Sequence, residues 1–134
     1  MTQKTIVVVE DNEEYRQNAE ETLKDAGYNL AFASTMTEAM EAVRQPGVVG
    51  VLSDVYFPSE DGADLHPFGM TLEAICKEDG LPVVLVTSNK HGEDAMEWMI
   101  PVFAIKGIAY CEGLKDGQKK WLSGWEKLAK MIQG

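Results

Sequence analysis

Four groups of residues in this chain have types and spacing that could do chemistry together. Glu10 and Asp11 stand side by side after the apolar run "TIVVV" (Thr5 to Val9). Asp54 closes a second run, "GVVGVLS" (Gly47 to Ser53), and Thr87 and Ser88 close a third, "PVVLVTS". Lys106 follows "PVFAI". Three carboxylates held close together repel one another and retain protons unless a cation joins them. Their hard oxygens suit Mg2+, which takes few protein carboxylates and keeps several waters. A carboxylate is also a nucleophile toward a phosphoryl group. Metal, hydroxyl and ammonium would then stabilise the oxygens of the transferring group. Taken singly, each has a plainer reading. Glu10 and Asp11 suit a helix start, Asp54 an ordinary turn before Pro58, Thr87 a cap, and Lys106 a solvated lysine. The chemical reading requires that the chain bring them all to one place.

The order of elements does this. "TIVVV" is β-branched and unbroken, as a buried parallel strand is. Tyr15, Ala19, Leu23 and Ala26 then recur at helical spacing, with Asn12 as cap and Gly27 as stop. "NLAFA" (Asn29 to Ala33) reads as a second strand. "TMTE" (Thr35 to Glu38) reads as a capping box before the helix through Ala39, Met40 and Val43. The runs ending at Ser53 and Ser88 are the third and fourth strands. Residues 58–70 hold Pro58, Pro67 and two glycines, and predict a long loop before a helix through Leu72, Ile75 and Cys76. Ala95, Met96 and Met99 suggest a short helix. "PVFAIKG" (Pro101 to Gly107) is expected as the fifth strand. Trp121, Leu122, Trp125, Leu128, Ala129 and Ile132 mark a final helix with an apolar stripe. Strands alternating with helices imply a parallel sheet covered on both faces. Right-handed crossovers place the strand C-termini along one edge, where ligands of such sheets bind.

Composition narrows the function. The chain has 134 residues, suggesting a single domain over residues 1–134 with nothing after the last helix. It carries 22 acidic against 12 basic residues, a net charge of −10, which opposes direct nucleic-acid binding and tight self-association. No apolar run approaches a membrane span, and the start does not read as a secretory signal. Cys76 and Cys111 lie far apart in no metal-like spacing and read as reduced core thiols, so a cytoplasmic location is expected. His66 and His91 read as loop or surface residues.

At this point the sequence resembles the receiver domain of two-component response regulators. "VVVEDN" (Val7 to Asn12) looks like that family's acidic pair after the first strand. "DVYFPSEDG" (Asp54 to Gly62) matches its acceptor aspartate with proline four later and glycine eight later. "LVTS" (Leu85 to Ser88) and "FAIK" (Phe103 to Lys106) look like the segments that carry its hydroxyl and its lysine. The resemblance covers nearly the whole chain. It implies a flavodoxin-like, doubly wound α/β fold: five parallel strands in the order 2-1-3-4-5, with five helices. It implies that Asp54 accepts a phosphoryl group and that Glu10, Asp11, Asp54 and the backbone carbonyl of Tyr56 bind Mg2+. Thr87 would then hydrogen-bond the phosphoryl group, Lys106 would pair with it, and Phe103 would reposition. The implied donor is a histidine kinase or phosphotransfer protein. The implied output is a change in the face formed by the fourth helix, fifth strand and fifth helix, read by an unknown downstream protein. The resting chain is expected to be a monomer or weak dimer.

The chain departs from the family at four points, one of them the unfamiliar "GIAYCEGLKDG" (Gly107 to Gly117) before the last helix. Gly107 follows the lysine where the family carries proline. The stretch from Thr87 to Lys106 is short, suggesting a clipped fourth helix. The loop after Gly62 is long. The missing Lys-Pro and the short fourth helix favour a competing reading, a phosphorylation-independent interaction module of the same fold, which Glu10, Asp11, Asp54, Thr87 and Lys106 oppose. A phosphohydrolase ranks last, because Tyr56 stands where such enzymes commonly carry a second acid.

Overall fold

Alternate side chains of the first strand serve opposite faces of the sheet, as the pleat of a strand requires. The computed structural model describes residues 3–88 and 93–134 (of 93–97, the backbone only). Strand β1 (Thr5–Val9) sends Val7 and Val9 to one core and Ile6 and Val8 to the other, all buried. Asn12 then caps helix α1 (Glu13–Leu23), its Oδ1 accepting the Tyr15 N–H at 3.0 Å. Strand β2 (Asn29–Ala33) runs beside β1. Helix α2 (Met36–Val43) opens on Thr35, whose Oγ1 accepts the Glu38 N–H at 3.1 Å. Glu38 Oε1 accepts in return from the Ser34 N–H at 3.0 Å, so the expected capping box closes one residue further back.

Strand β3 (Val48–Ser53) lies on the other side of β1. The expected long loop contains a small antiparallel hairpin, β4 (Phe57–Pro58) with β5 (Leu65–His66). Gly62, in the chain between these strands, has a φ of +83°. Helix α3 (Phe68–Glu78) follows and carries Leu72 and Cys76 inward. Strand β6 (Val83–Thr87) is buried along its length.

Helix α4 (Glu93–Lys106) runs for 14 residues, so the fourth helix is not clipped. It takes up residues 101–106, which the sequence reading assigns to the fifth strand. The outcome is helical because burial there is one-sided with helical spacing. Met99, Ile100 and Phe103 pack on the core, while Trp98, Val102 and Ile105 face out. A short apolar run does not by itself distinguish the two periods. Gly107, at φ +69°, ends the helix. Its N–H donates to the Ala104 carbonyl at 3.4 Å, and the Ile108 N–H donates to the Phe103 carbonyl at 2.9 Å. That pair of bonds is the Schellman closure, which wants glycine at this position.

The fifth strand of the sheet is β7 (Ala109–Glu112). It is followed by a second small hairpin, β8 (Leu114–Lys115) with β9 (Gln118–Lys119). The turn residues Asp116 and Gly117 have φ of 55° and 78°. Two consecutive positive φ values are the signature of the two-residue turn that matches strand twist. Helix α5 (Trp121–Gln133) ends the chain's regular structure.

The main sheet is parallel in the order β2-β1-β3-β6-β7, which is the expected flavodoxin-like topology. On one face Ala39 of α2, Leu72 of α3 and Phe103 of α4 pack on Val7, Val9, Val51 and Leu85. On the other, Ala19 and Leu23 of α1 and Trp121 and Leu128 of α5 pack on Val8, Leu52, Val84 and Val86. Gly124 lets α5 approach closely, since a Cβ there would lie 2.7 Å from Val86 Cγ2.

Candidate functional site

The ladder between β1 and β3 sets the centre of the site. Val9 is paired with Ser53, so Glu10 and Asp54 leave the sheet as neighbours. The Asp54 N–H donates to the Val9 carbonyl at 2.9 Å, and the Glu10 N–H donates to the Ala33 carbonyl at 2.9 Å. Both side chains are fully buried. The Asp54 carboxylate accepts the Val55 N–H on Oδ1 at 2.8 Å, and Ser53 Oγ donates to the Asp54 carbonyl at 2.8 Å. Behind it, Gly69 of α3 brings its backbone against the turn, donating its N–H to the Val55 carbonyl at 2.9 Å. A Cβ at Gly69 would stand 2.3 Å from the Asp54 carbonyl oxygen.

Glu10, half-buried Asp11 and Asp54 each offer an oxygen, and these atoms lie within 4.8 Å of one another. Among the described residues, the cation that meets them is Lys119, at the end of β9. Its Nζ donates to Glu10 Oε1 and lies 3.2 Å from Asp54 Oδ1. It also stands 5.0 Å from the ring centre of Tyr15 and 5.6 Å from that of Trp121, a favourable setting for a buried ammonium. Among the described residues, two fully buried carboxylates share this one lysine. Burial first, and Asp54 second, push Glu10 up to about 8, against the pull of Lys119 and the Asn12 N–H. Burial works against the charge of Lys119 itself, but Asp54 and Glu10 outweigh it and hold its pKa above the usual lysine value. A pocket of hard oxygens short of positive charge fits a small divalent cation.

Lys106 is not in this cluster. It is the last residue of α4 and is exposed, because the stretch that carries it is a helix closed by Gly107. The Lys106–Gly107 pair is a helix stop, with a basic residue in the last turn and glycine beyond it. Lys119 follows no apolar run, and the signal that places it is the Asp-Gly of a tight hairpin in "KDGQK" (Lys115 to Lys119). Phe103 also moves from strand to helix, where it is buried with its ring 5.4 Å from that of Tyr110. The aromatic on the fifth sheet strand is Tyr110.

Thr87 ends β6, is buried, and its carbonyl accepts the Gly113 N–H at 3.0 Å. It therefore stands on the same sheet edge as Asp54, with Ser88 buried beside it in sequence. Tyr56 is half-buried, and its hydroxyl meets Met99 Sδ at 3.9 Å. His66 is exposed on β5, against the ring of Phe68. His91 lies outside the described residues. Both cysteines are free and buried. No described helix is long and apolar enough to cross a membrane.

The arrangement is similar to known proteins in both sequence and shape. The family model described as the response regulator receiver domain matches residues 6–115. A putative NtrX-like response regulator of Rickettsia felis is 30% identical over 111 residues, covering 82% of this chain. The chain spans 21% of that relative's length. A response regulator receiver protein from Sinorhizobium medicae superposes with a TM-score of 0.71 at 18% identity, covering 98% of this chain and 96% of that one. The non-phosphorylated HemR receiver domain from Leptospira biflexa gives a TM-score of 0.63 at 22% identity, covering 98% and 95%. The strand order, the acid cluster and the matched span agree: the chain belongs to the response regulator receiver domain family.

Proposed function

We propose that Asp54 accepts a phosphoryl group in a metal-dependent reaction and that Lys119, not Lys106, is the lysine that pairs with it. The observation that carries this is Lys119 Nζ at 3.2 Å from Asp54 Oδ1 in a fully buried setting. An Asp54 oxygen attacks phosphorus, an acyl O–P bond forms, and the bond from phosphorus to the donor's nitrogen or oxygen breaks. Glu10, Asp11 and Asp54, with the backbone carbonyl of Tyr56, would hold Mg2+. When bound, the ion supplies positive charge to the oxygens of the transferring group. Lys119 provides a second charge from the hairpin side, and the Thr87 hydroxyl provides a hydrogen bond from the end of β6. The Val55 N–H fixes the carboxylate rotamer before reaction, so little reorganisation remains.

The donor is a histidine kinase or phosphotransfer protein, and residues 1–134 act as one receiver unit. Trp98 and Ile105, 76% and 80% exposed on α4, support an output surface on the α4-β7-α5 face. The net charge of −10 supports a monomer or weak dimer in the resting state. The missing Lys-Pro pair, which favours a phosphorylation-independent module, loses its force because a lysine reaches Asp54 by another route.

Incubation with a small acyl phosphate and Mg2+ tests the chemistry. Mass spectrometry should show one added phosphoryl group, lost with chelator and absent in Asp54→Asn. Lys106→Ala should label as wild type does. Labelling that persists in Asp54→Asn, or a wild type that takes up nothing, would overturn the proposal.

A further inference from the structure

The end of α1, the β8–β9 hairpin and the first turn of α5 enclose a hollow of about 620 Å3, a size common among small-molecule sites. Thr22, Lys115, Trp121, Leu122 and Ser123 are among the residues that line it. The turn of α5 that forms one wall is rich in unused donors. Lys120, at the cap position, makes no side-chain cap bond, and the turn holds no acidic residue. The Gly124 N–H donates to the Lys120 carbonyl at 3.0 Å. The three helical N–H groups before it, on Trp121, Leu122 and Ser123, have no acceptor among the described residues. Such groups, with the helix dipole behind them, attract anions. A separate observation asks for an acceptor in the same place. Trp121 is 1% exposed, and its indole Nε1 is buried without a partner among the described residues. A buried donor left unpaired is costly, and an acceptor entering the hollow would remove that cost.

We propose that this hollow binds a small organic phosphate, whose oxygens accept from the first N–H groups of α5 and from the Trp121 indole. Leu122 argues for an organic ligand over a bare ion. It lines the hollow and is 54% exposed, so an organic group lying against it would take apolar surface out of water. Thr22 and Ser123 add hydroxyls to the lining, and Lys115 adds an exposed ammonium at the rim. Asp116 also lines the hollow and works against an anion, but it is an exposed turn residue whose charge water and salt screen. Lys119 gives its charge to Glu10 and Asp54 instead. The donors of α5 and Trp121 therefore carry the attraction, with Lys115 in support. Residues 116–123 lie beyond the span 6–115 that matches the receiver family, so this hollow is built largely from what is particular to this chain.

Titration with adenosine monophosphate, followed by amide and indole NMR in the presence of a chelator, tests the site. The Trp121 indole signal and the amides of Trp121, Leu122 and Ser123 should move along one saturable curve. The amides of Asp11 and Val55, at the acid cluster, should stay in place. Adenosine should leave all of these signals unmoved, and inorganic phosphate should bind more weakly than the nucleotide. Ser123→Asp places a carboxylate within reach of the same N–H groups and should weaken nucleotide binding by about tenfold or more. Lys115→Ala should weaken it by about threefold. Trp121→Phe keeps the ring but deletes the donor and should also weaken it. Absence of a saturable shift at residues 121–123, or an unchanged affinity in Ser123→Asp, would overturn the proposal. So would shifts centred on Asp11 and Val55, which would put the phosphate on the acid cluster. Adenosine binding as tightly as the nucleotide would overturn the phosphate, and inorganic phosphate binding as tightly would overturn the organic ligand.

Discussion

The two sides of the site are built in different ways. Glu10 and Asp54 are the residues that follow two central, hydrogen-bonded strands, and their positions are set by the ladder that pairs Val9 with Ser53. Lys119 comes from beyond the edge strand β7, on a hairpin with two residues in each arm. The carboxylates are thus part of the most buried layer of the molecule, whereas their cation is delivered by an accessory element. The difference teaches that a site can have a rigid half and an adjustable half within a few ångströms. The strand ladder holds the carboxylates, and a hairpin with two-residue arms holds their cation.

The comparison breaks most severely at Gly69. A Cβ there would lie 2.3 Å from the Asp54 carbonyl oxygen and 2.8 Å from Val55 Cα, both backbone atoms that cannot swing away. Gly69→Ala should lower stability by about 3 kcal/mol, the upper part of the overpacking range, read as a lower urea midpoint. A loss under about 1 kcal/mol would mean that the central half yields as readily as the hairpin.

The two thiols sharpen the contrast without changing the site. Cys76 lies on α3 under the central sheet, and Cys111 on the edge strand β7 beside the hairpin. If the edge opens more often, iodoacetamide at pH 8 should modify Cys111 about tenfold faster than Cys76, measured by peptide mass spectrometry. Burial, then Asp79 and Glu73, raise Cys76 from its ordinary 9.0 to about 11. Its contribution to stability is therefore present below pH 9.0 and is lost as the pH rises through about 11. Denaturant midpoints should fall over that window, and Cys76→Ala should flatten the fall. Equal alkylation rates would argue that the edge is as tightly held as the centre.

The smallest effect is expected at the hairpin turn. Gly117→Ala keeps the chain in a left-handed conformation that costs an L-residue about 1 kcal/mol, with nothing within 4 Å to clash. Urea unfolding should show a loss about a third of that at Gly69, while amide exchange should quicken in residues 114–119 and stay unchanged in β1 and β3.

Most of the sheet was legible in the sequence because buried parallel strands leave unbroken β-branched runs, as in "TIVVV" and "PVVLVTS". The carboxylates were legible for the same reason: the residue after such a run sits at the sheet edge. Lys119 was not, since it follows no apolar run and sits inside a polar stretch whose meaning depends on pairing. The segment from Pro101 to Gly107 misled because its apolar residues suit either period, and only the Lys-Gly stop signal distinguishes a helix end from a strand end there. The β4–β5 hairpin was hidden by Pro58 within β4 and Pro67 just after β5, since proline within a run reads as loop.

The Glu10–Lys119 ion pair spans 109 positions of the chain, and that separation has a consequence for how the protein comes into being. During synthesis the acids emerge early and their lysine late. Until β7 has joined the sheet and the hairpin has turned back over α1, the crowded carboxylates lack their internal cation, and closing so long a loop is slow. The acid cluster is therefore completed only after the sheet is, so a partly folded chain has Asp54 in place but not the lysine that pairs with it.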